Sequence, residues 1–192
     1  MSTTILAAAV QMTSTADKQE NLDQAAHWVE LAAKQGAQLV VLPELFNCQA
    51  SREVMLANSE PVPGPTSDLA NSWAKRWGIT LVAGSILETA ADGKGFNTSL
   101  TFDPDGNLKS VYRKLHLFDV DLPGEVTFKE SDFVEPGSRI EVAETPCGRI
   151  GMSICYDLRF PELYRRLADR GADIITVPSA FALATGRDHW EV

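Results

Sequence analysis

Three side chains in this sequence have the chemistry and the placement to act on a substrate: Cys155, Glu44 and Lys114. Cys155 follows the short apolar run Ile150-Gly151-Met152-Ser153-Ile154 and precedes Pro161, which suits the first turn of a helix, so it stands at a corner between strand and helix. A thiol held at such a corner is rigid and open toward a pocket, and a helix amino terminus close by would favour its thiolate. The competing reading is a small buried hydrophobe. Glu44 comes directly after the apolar run Ala37 to Leu42 and Pro43, at the rim of a buried sheet, where a carboxylate either caps backbone amides or takes part in chemistry. Lys114 lies within Tyr112-Arg113-Lys114-Leu115-His116-Leu117-Phe118, just past a hairpin, where the competing reading is a solvated surface lysine.

The elements that must position these groups are legible from periodicity. Ile5 to Gln11 reads as a buried first strand. Asp17 with Glu20 makes a capping box, and Leu22, Ala25, Ala26, Val29 and Ala33 mark one helical face that Gly36 closes. Ala37 to Leu42 is a second strand. The stretch from Cys48 to Pro65 reads as a loop with a helical turn near Val54 to Ala57. After Pro65, the stripe Leu69, Ala70, Trp73, Ala74 and Trp77 predicts a helix that Gly78 ends. Ile79 to Ile86 is a strand, and Asn97 to Phe102 with Leu108 to Tyr112 flank the turn Asp103-Pro104-Asp105-Gly106 of an antiparallel hairpin. Asp119 to Gly137 reads as a long acidic loop, and Arg139 to Thr145 as the hairpin partner of the cysteine strand. Gly36-Ala37-Gln38-Leu39-Val40-Val41-Leu42-Pro43 is echoed by Gly171-Ala172-Asp173-Ile174-Ile175-Thr176-Val177-Pro178, each after an amphipathic helix. Two such units predict two similar sheets with helices outside them.

Composition narrows the classes of function. A charge of −9 with 17 basic against 26 acidic residues argues against a general nucleic-acid or anionic-membrane binder, since those surfaces must neutralise phosphates. The apolar run Ile5 to Val10 is too short for a signal peptide or a membrane span. Three cysteines, Cys48, Cys147 and Cys155, form an odd set, so reduced thiols and a cytoplasmic location are expected. With His27, His116 and His189 they match no zinc spacing, and neither a metal nor another cofactor is expected.

The motifs Leu42-Pro43-Glu44-Leu45-Phe46, Tyr112 to Phe118 and Ile154-Cys155-Tyr156-Asp157-Leu158-Arg159-Phe160-Pro161-Glu162-Leu163, in this order, resemble those of the nitrilase, or carbon-nitrogen hydrolase, superfamily. The resemblance spans the chain to Pro178-Ser179-Ala180-Phe181. It implies an α/β fold, an α-β-β-α four-layer sandwich of two mixed sheets, and a catalytic triad of Glu44, Lys114 and Cys155. The family's second glutamate matches Glu130. Tyr156-Asp157 after the cysteine, in place of Trp-Glu, resembles the amidase branch that includes omega-amidase and deaminated-glutathione amidase.

The residue types suit that reaction. A free thiol has a pKa of roughly 8.5, so Cys155 needs a base or a cation to act at neutral pH, and Glu44 can take its proton. Lys114 can hold an oxyanion, with the backbone N–H of Tyr156 as a second donor, and Glu130 can orient Lys114 or the substrate nitrogen. His116 is the base that a cysteine-histidine hydrolase would use, but in its aromatic run it reads as a packed side chain. The implied partner is a small amide substrate carrying a carboxylate. Nitrile hydrolysis, or a truncated inactive relative that binds or assembles, stays open. The chain stops at Arg187-Asp188-His189-Trp190-Glu191-Val192, as a helix begins. The family's remaining strands and dimer-forming tail would follow, so the reading is a single domain over residues 1–192 with its carboxyl-terminal portion missing, and a homo-oligomer when full length.

Overall fold

A computed structural model describes residues 4–122, 126–181 and 186. The first strand, β1 (Ala7–Ala9), leads to helix α1 (Lys18–Lys34), which keeps half of the expected capping box: Asp17 Oδ1 accepts from the Glu20 N–H at 3.0 Å, while the Asp17 N–H donates to Thr15 Oγ1 at 3.1 Å. Gly36, at φ +89°, turns the chain into β2 (Leu39–Val41). The helical turn expected near Val54 to Ala57 is a short helix α2 that starts earlier (Arg52–Ala57); then comes α3 (Pro65–Trp77), which opens on proline and closes on the left-handed Gly78. Strands β3 (Thr80–Thr89), β4 (Gly95–Phe102) and β5 (Leu108–Arg113) form a meander. β6 (Asp119–Leu122) and β7 (Val126–Lys129) pair as a separate ribbon, followed by a 3-10 turn at Glu130–Asp132. Strands β8 (Val142–Thr145) and β9 (Gly148–Met152), a 3-10 turn Cys155–Arg159, helix α4 (Pro161–Asp169) and β10 (Ile174–Thr176) complete the described chain.

Two mixed sheets result. The larger has the order β1-β2-β3-β4-β5, parallel from β1 to β3 and antiparallel from there on. The smaller has the order β10-β9-β8, with β10 parallel and β8 antiparallel to β9. On one face of the larger sheet Val40, Leu42, Leu81 and Leu100 pack against Leu22, Ala25 and Val29 of α1 and Ala70, Trp73 and Ala74 of α3. On its other face Leu39 and Val82 meet Ala143 and Ile150 of the smaller sheet. Side chains alternate along β9, so Gly151 points away from that contact and toward α4. A Cβ there would lie 3.0 Å from the Ala172 Cβ and 3.3 Å from the Leu167 Cβ, so its absence lets α4 lie close on the sheet. The layers therefore run helix, sheet, sheet, helix. Each fully buried leucine or isoleucine at these contacts contributes about 1.5–3 kcal/mol relative to exposure.

The echoed segments take equivalent places. β2 and β10 each follow a helix and a left-handed glycine, and each runs parallel to a neighbour.

Three expectations differ. The first strand is three residues long rather than Ile5 to Gln11, and it is not buried: Leu6 is 52% exposed, because β1 pairs only with β2 at the edge of its sheet. The stretch from Asp119 onward is not an unstructured loop but the β6-β7 ribbon, fastened by Asp119 accepting from the Ser131 N–H at 3.0 Å and hydroxyl at 2.7 Å. Four-residue strands carry too few alternations for periodicity to register. The corner after β9 is a 3-10 turn, so α4 starts at Pro161, well past Cys155. The expected helix start at Arg187 lies outside the described residues. Among those described, no helix is long and apolar enough to cross a membrane.

Candidate active site

Glu44 is fixed by a turn pinned to the adjacent strand. Leu42 N–H donates to the Val82 carbonyl, Leu45 N–H to Ser85 Oγ at 2.9 Å, and Phe46 N–H to the Ser85 carbonyl. Gly84 makes this possible: a Cβ there would sit 1.8 Å from the Pro43 carbonyl oxygen. Leu45 is held at φ +49°, a left-handed conformation that a branched side chain adopts only under constraint, and it aims Glu44 off the end of β2.

Lys114 leaves β5 with both backbone groups in use, its N–H on the Asn97 carbonyl at 2.9 Å and its carbonyl on the Gly137 N–H at 2.8 Å. The side chain turns inward and is 2% exposed, so the reading of a solvated lysine fails. Cys155 follows β9. Its N–H donates to the Pro178 carbonyl at 2.9 Å, and its φ of +46° marks a strained elbow. Asp157, fully buried, holds that elbow: its Oδ2 accepts from the Ile154 N–H at 2.9 Å and the Tyr112 hydroxyl at 2.7 Å, and its Oδ1 from the His116 N–H at 3.0 Å. Glu130 opens the 3-10 turn after β7 and accepts from the Phe118 N–H through Oε2 at 2.7 Å.

These four side chains converge. Lys114 Nζ lies 3.0 Å from Glu44 Oε1, 3.2 Å from Glu130 Oε1 and 2.9 Å from Glu130 Oε2. Cys155 lines the same pocket, close enough to Glu44 and Lys114 for both charges to act on its thiol. Tyr156, expected as a backbone donor, directly follows Cys155 in the chain, with its ring edge-on to Phe118 and Phe160. His116 stands apart as a packed side chain: its ring stacks on Phe160 at 3.6 Å and its Nδ1 lies 2.7 Å from Asp157 Oδ1.

Counting lone pairs separates the two glutamates. A carboxylate has about four acceptor positions, two on each oxygen. Glu130 Oε1 takes Lys114 and Asn97, and its Oε2 takes Lys114 and Phe118 N–H, so every position is filled. Glu44 Oε1 is likewise filled by Lys114 and Asn97, but Oε2 receives the Ala180 N–H at 2.9 Å and keeps a position for the thiol. Glu44 can take a proton where Glu130 has no room for one.

Electrostatics agree with that division. Burial works to lower the Lys114 pKa, but the charges of Glu44 and Glu130 outweigh it and hold the ammonium well above the ordinary lysine range. Burial, and then the Glu44 carboxylate, push the Cys155 thiol well up, against the pull of Lys114. The expected help from a helix amino terminus is therefore not what governs the thiol, since the α-helix begins beyond the 3-10 turn and the nearest charge is a carboxylate. The raised thiol favours its neutral form beside the Glu44 carboxylate.

Asn97 is the residue that sequence reasoning missed. Its Nδ2 donates to Glu44 Oε1 at 2.9 Å and to Glu130 Oε1 at 3.1 Å. The available signal was an asparagine inside a strand, a place that disfavours it.

The site opens into a pocket of about 140 Å³, with Glu44, Asn97, Lys114, Glu130 and Cys155 among its lining residues. Leu45, Met55, Leu87, Phe118, Phe133 and Val134 also line it, and the exposed Arg52 joins Lys114 as its second cation. Among the described residues no three His, Cys, Asp or Glu side chains group as a metal site.

The carbon-nitrogen hydrolase family model matches residues 6–192. Human omega-amidase NIT2 is 42% identical over 185 residues, which cover 96% of this chain and 67% of the human protein. The crystal structure of the Caenorhabditis elegans NitFhit protein superposes with a TM-score of 0.89 at 36% identity, covering 97% of this chain and 46% of that one. The amidase from Nesterenkonia sp., in a mutant carrying acrylamide added at its active-site cysteine, matches at a TM-score of 0.79 and 26% identity over 94% of this chain and 69% of its own. The chain thus spans about two thirds of the omega-amidase and about half of the NitFhit protein.

Proposed function

Given that this chain belongs to the carbon-nitrogen hydrolase family, we propose that it is a thiol amidase that cleaves a small carboxylate-bearing amide, of the omega-amide or deaminated-glutathione kind, through a thioester on Cys155. The observation that carries this reading is the convergence on one pocket of the buried Cys155, a Glu44 carboxylate with one open acceptor position and the Lys114 ammonium. A raised thiol is a poor nucleophile alone, so its proton must leave as it attacks. Cys155 Sγ bonds the amide carbon while its proton passes to Glu44 Oε2 and the carbonyl electron pair moves to oxygen. The oxyanion develops beside the Lys114 ammonium and the Tyr156 backbone N–H, which stabilise it in a site screened from water. As the tetrahedral state collapses, Glu44 returns the proton to the departing nitrogen, and ammonia or an amine leaves. Glu44 then takes a proton from the water that hydrolyses the thioester. Glu130, with all its positions filled, holds Lys114 in place.

Charge supports a carboxylate on the substrate. Lys114 meets two carboxylates, so the catalytic groups together are net negative and repel an anionic substrate tail unless a cation lies along the pocket. Arg52 is that cation, exposed, among mostly apolar lining residues.

The test is mass analysis of the intact protein after brief exposure to a panel of omega-amides and their nitrile counterparts, with ammonia release measured in parallel. Acyl adducts on the wild type and none on Cys155→Ala are expected, with amides turned over faster than nitriles. A folded protein that no amide acylates would end the amidase reading.

A further inference from the structure

Asn97 joins Lys114 in hydrogen-bonding both glutamates of the site, and the residue is 1% exposed. Both hydrogens of Nδ2 are committed to Oε1 atoms. The orientation is forced, since the amide turned over would set its carbonyl against two carboxylates. Its consequence is that Asn97 Oδ1 is buried without a partner, a condition native proteins keep at few atoms and often where function requires it. A group held at that disadvantage is placed for what its other end does.

Resting on the amidase reading above, we propose that Asn97 is a positioning residue that decides which carboxylate oxygen takes the thiol proton. With Lys114 it fills Oε1 of Glu44 and Oε1 of Glu130, leaving Glu44 Oε2 as the open basic position among the four oxygens. The Sγ–H bond of Cys155 then breaks toward that oxygen as the S–C bond forms, and the same oxygen hands the proton to the leaving nitrogen. Without the amide, each Oε1 regains an open position, and the two carboxylates face each other across one ammonium with less to keep them ionised. One of them takes up a proton more readily, and on Oε1 that proton is turned away from the thiol.

The groups facing Glu44 come from every neighbouring element: Lys114 after β5, Glu130 from the turn after β7, Asn97 from β4, Cys155 after β9 and the Ala180 N–H after β10. Glu130 is the one like charge among them, so the loss of Asn97 raises the acid limb of the pH profile. The experiment compares wild type, Asn97→Ser and Asn97→Asp for kcat and KM across pH, with acylation of Cys155 by mass counting intact sites. Asn97→Ser is expected to lower kcat about 10- to 100-fold with KM close to wild type. Its acid limb should move up on the order of one pH unit, and Asn97→Asp, which adds a third carboxylate, should move it further. A merely structural amide would reduce the count of intact sites and lower kcat evenly across pH. An acid limb that stays put in the folded variants overturns the proposal, as does wild-type kcat in Asn97→Ser. If Asn97→Ser does not fold, Asn97→Asp, of the same size, decides alone. A wild type that is never acylated would instead refute the amidase reading before any variant is compared.

Discussion

The Tyr112 hydroxyl donates a 2.7 Å hydrogen bond to Asp157, and that contact joins the strand leading to Lys114 to the turn that begins at Cys155. The two sheets come from distant parts of the sequence, so the distance between ammonium and thiol depends on such cross-sheet ties. Burial, and then the Asp157 carboxylate, keep the Tyr112 hydroxyl firmly protonated. Removing it in Tyr112→Phe takes one donor from a buried carboxylate and should cost about 1.5–3 kcal/mol. Chemical denaturation measures that loss, and kcat should fall with it; a variant with unchanged midpoint and unchanged kcat would show the tie to be idle.

Glu44→Gln separates ionisation from catalysis. Glu44 contributes to holding the Cys155 thiol up, so its neutral amide should let the thiol ionise at lower pH, helped by Lys114. The pH midpoint of alkylation by iodoacetamide should fall, while amide turnover drops by a factor on the order of 100 or more for want of a base. A midpoint that rises, or turnover that survives, contradicts the role given to Glu44.

His116→Ala supplies the matching control. Its ring is stacked on Phe160 and its Nδ1 faces Asp157 rather than the thiol, so kcat should stay within about tenfold of wild type, against the 10²–10⁴ expected of a general base. Loss of turnover in His116→Ala together with full activity in Glu44→Gln would point to a cysteine-histidine hydrolase.

Lys114→Met removes the charge that two buried carboxylates share. Turnover should fall about 100-fold or more, as for a lost oxyanion donor. Stability should also fall, by about 3–5 kcal/mol at neutral pH, because Glu44 and Glu130 are left uncompensated. The sign with pH follows: that penalty should shrink on acidification, as the carboxylates take up protons, and denaturation midpoints at two pH values read it.

Arg52→Gln tests the choice of substrate. kcat/KM for a carboxylate-bearing amide should fall about tenfold or more while a neutral amide of equal length is turned over as before, the signature of a lost ion pair with the substrate tail. Equal effects on both amides would remove Arg52 from recognition.

Much of this protein was legible in its sequence because local signals and motifs are written in consecutive residues. The Asp17 cap, the stripe ending at Gly78, the Asp103 turn and the paired segments at Gly36 and Gly171 each specify a local conformation, and hence where Glu44, Lys114 and Cys155 leave their elements. Motif resemblance, rather than periodicity, singled out Glu130. What the tertiary structure alone decided is how those groups meet: the filled positions of Glu130, the open one on Glu44 Oε2, the forced amide of Asn97 and the raised thiol of Cys155. Hydrogen-bond occupancy and desolvation depend on neighbours up to 136 residues away in the chain, as between Ala180 and Glu44. Such terms are properties of the packed arrangement, which no window of sequence contains.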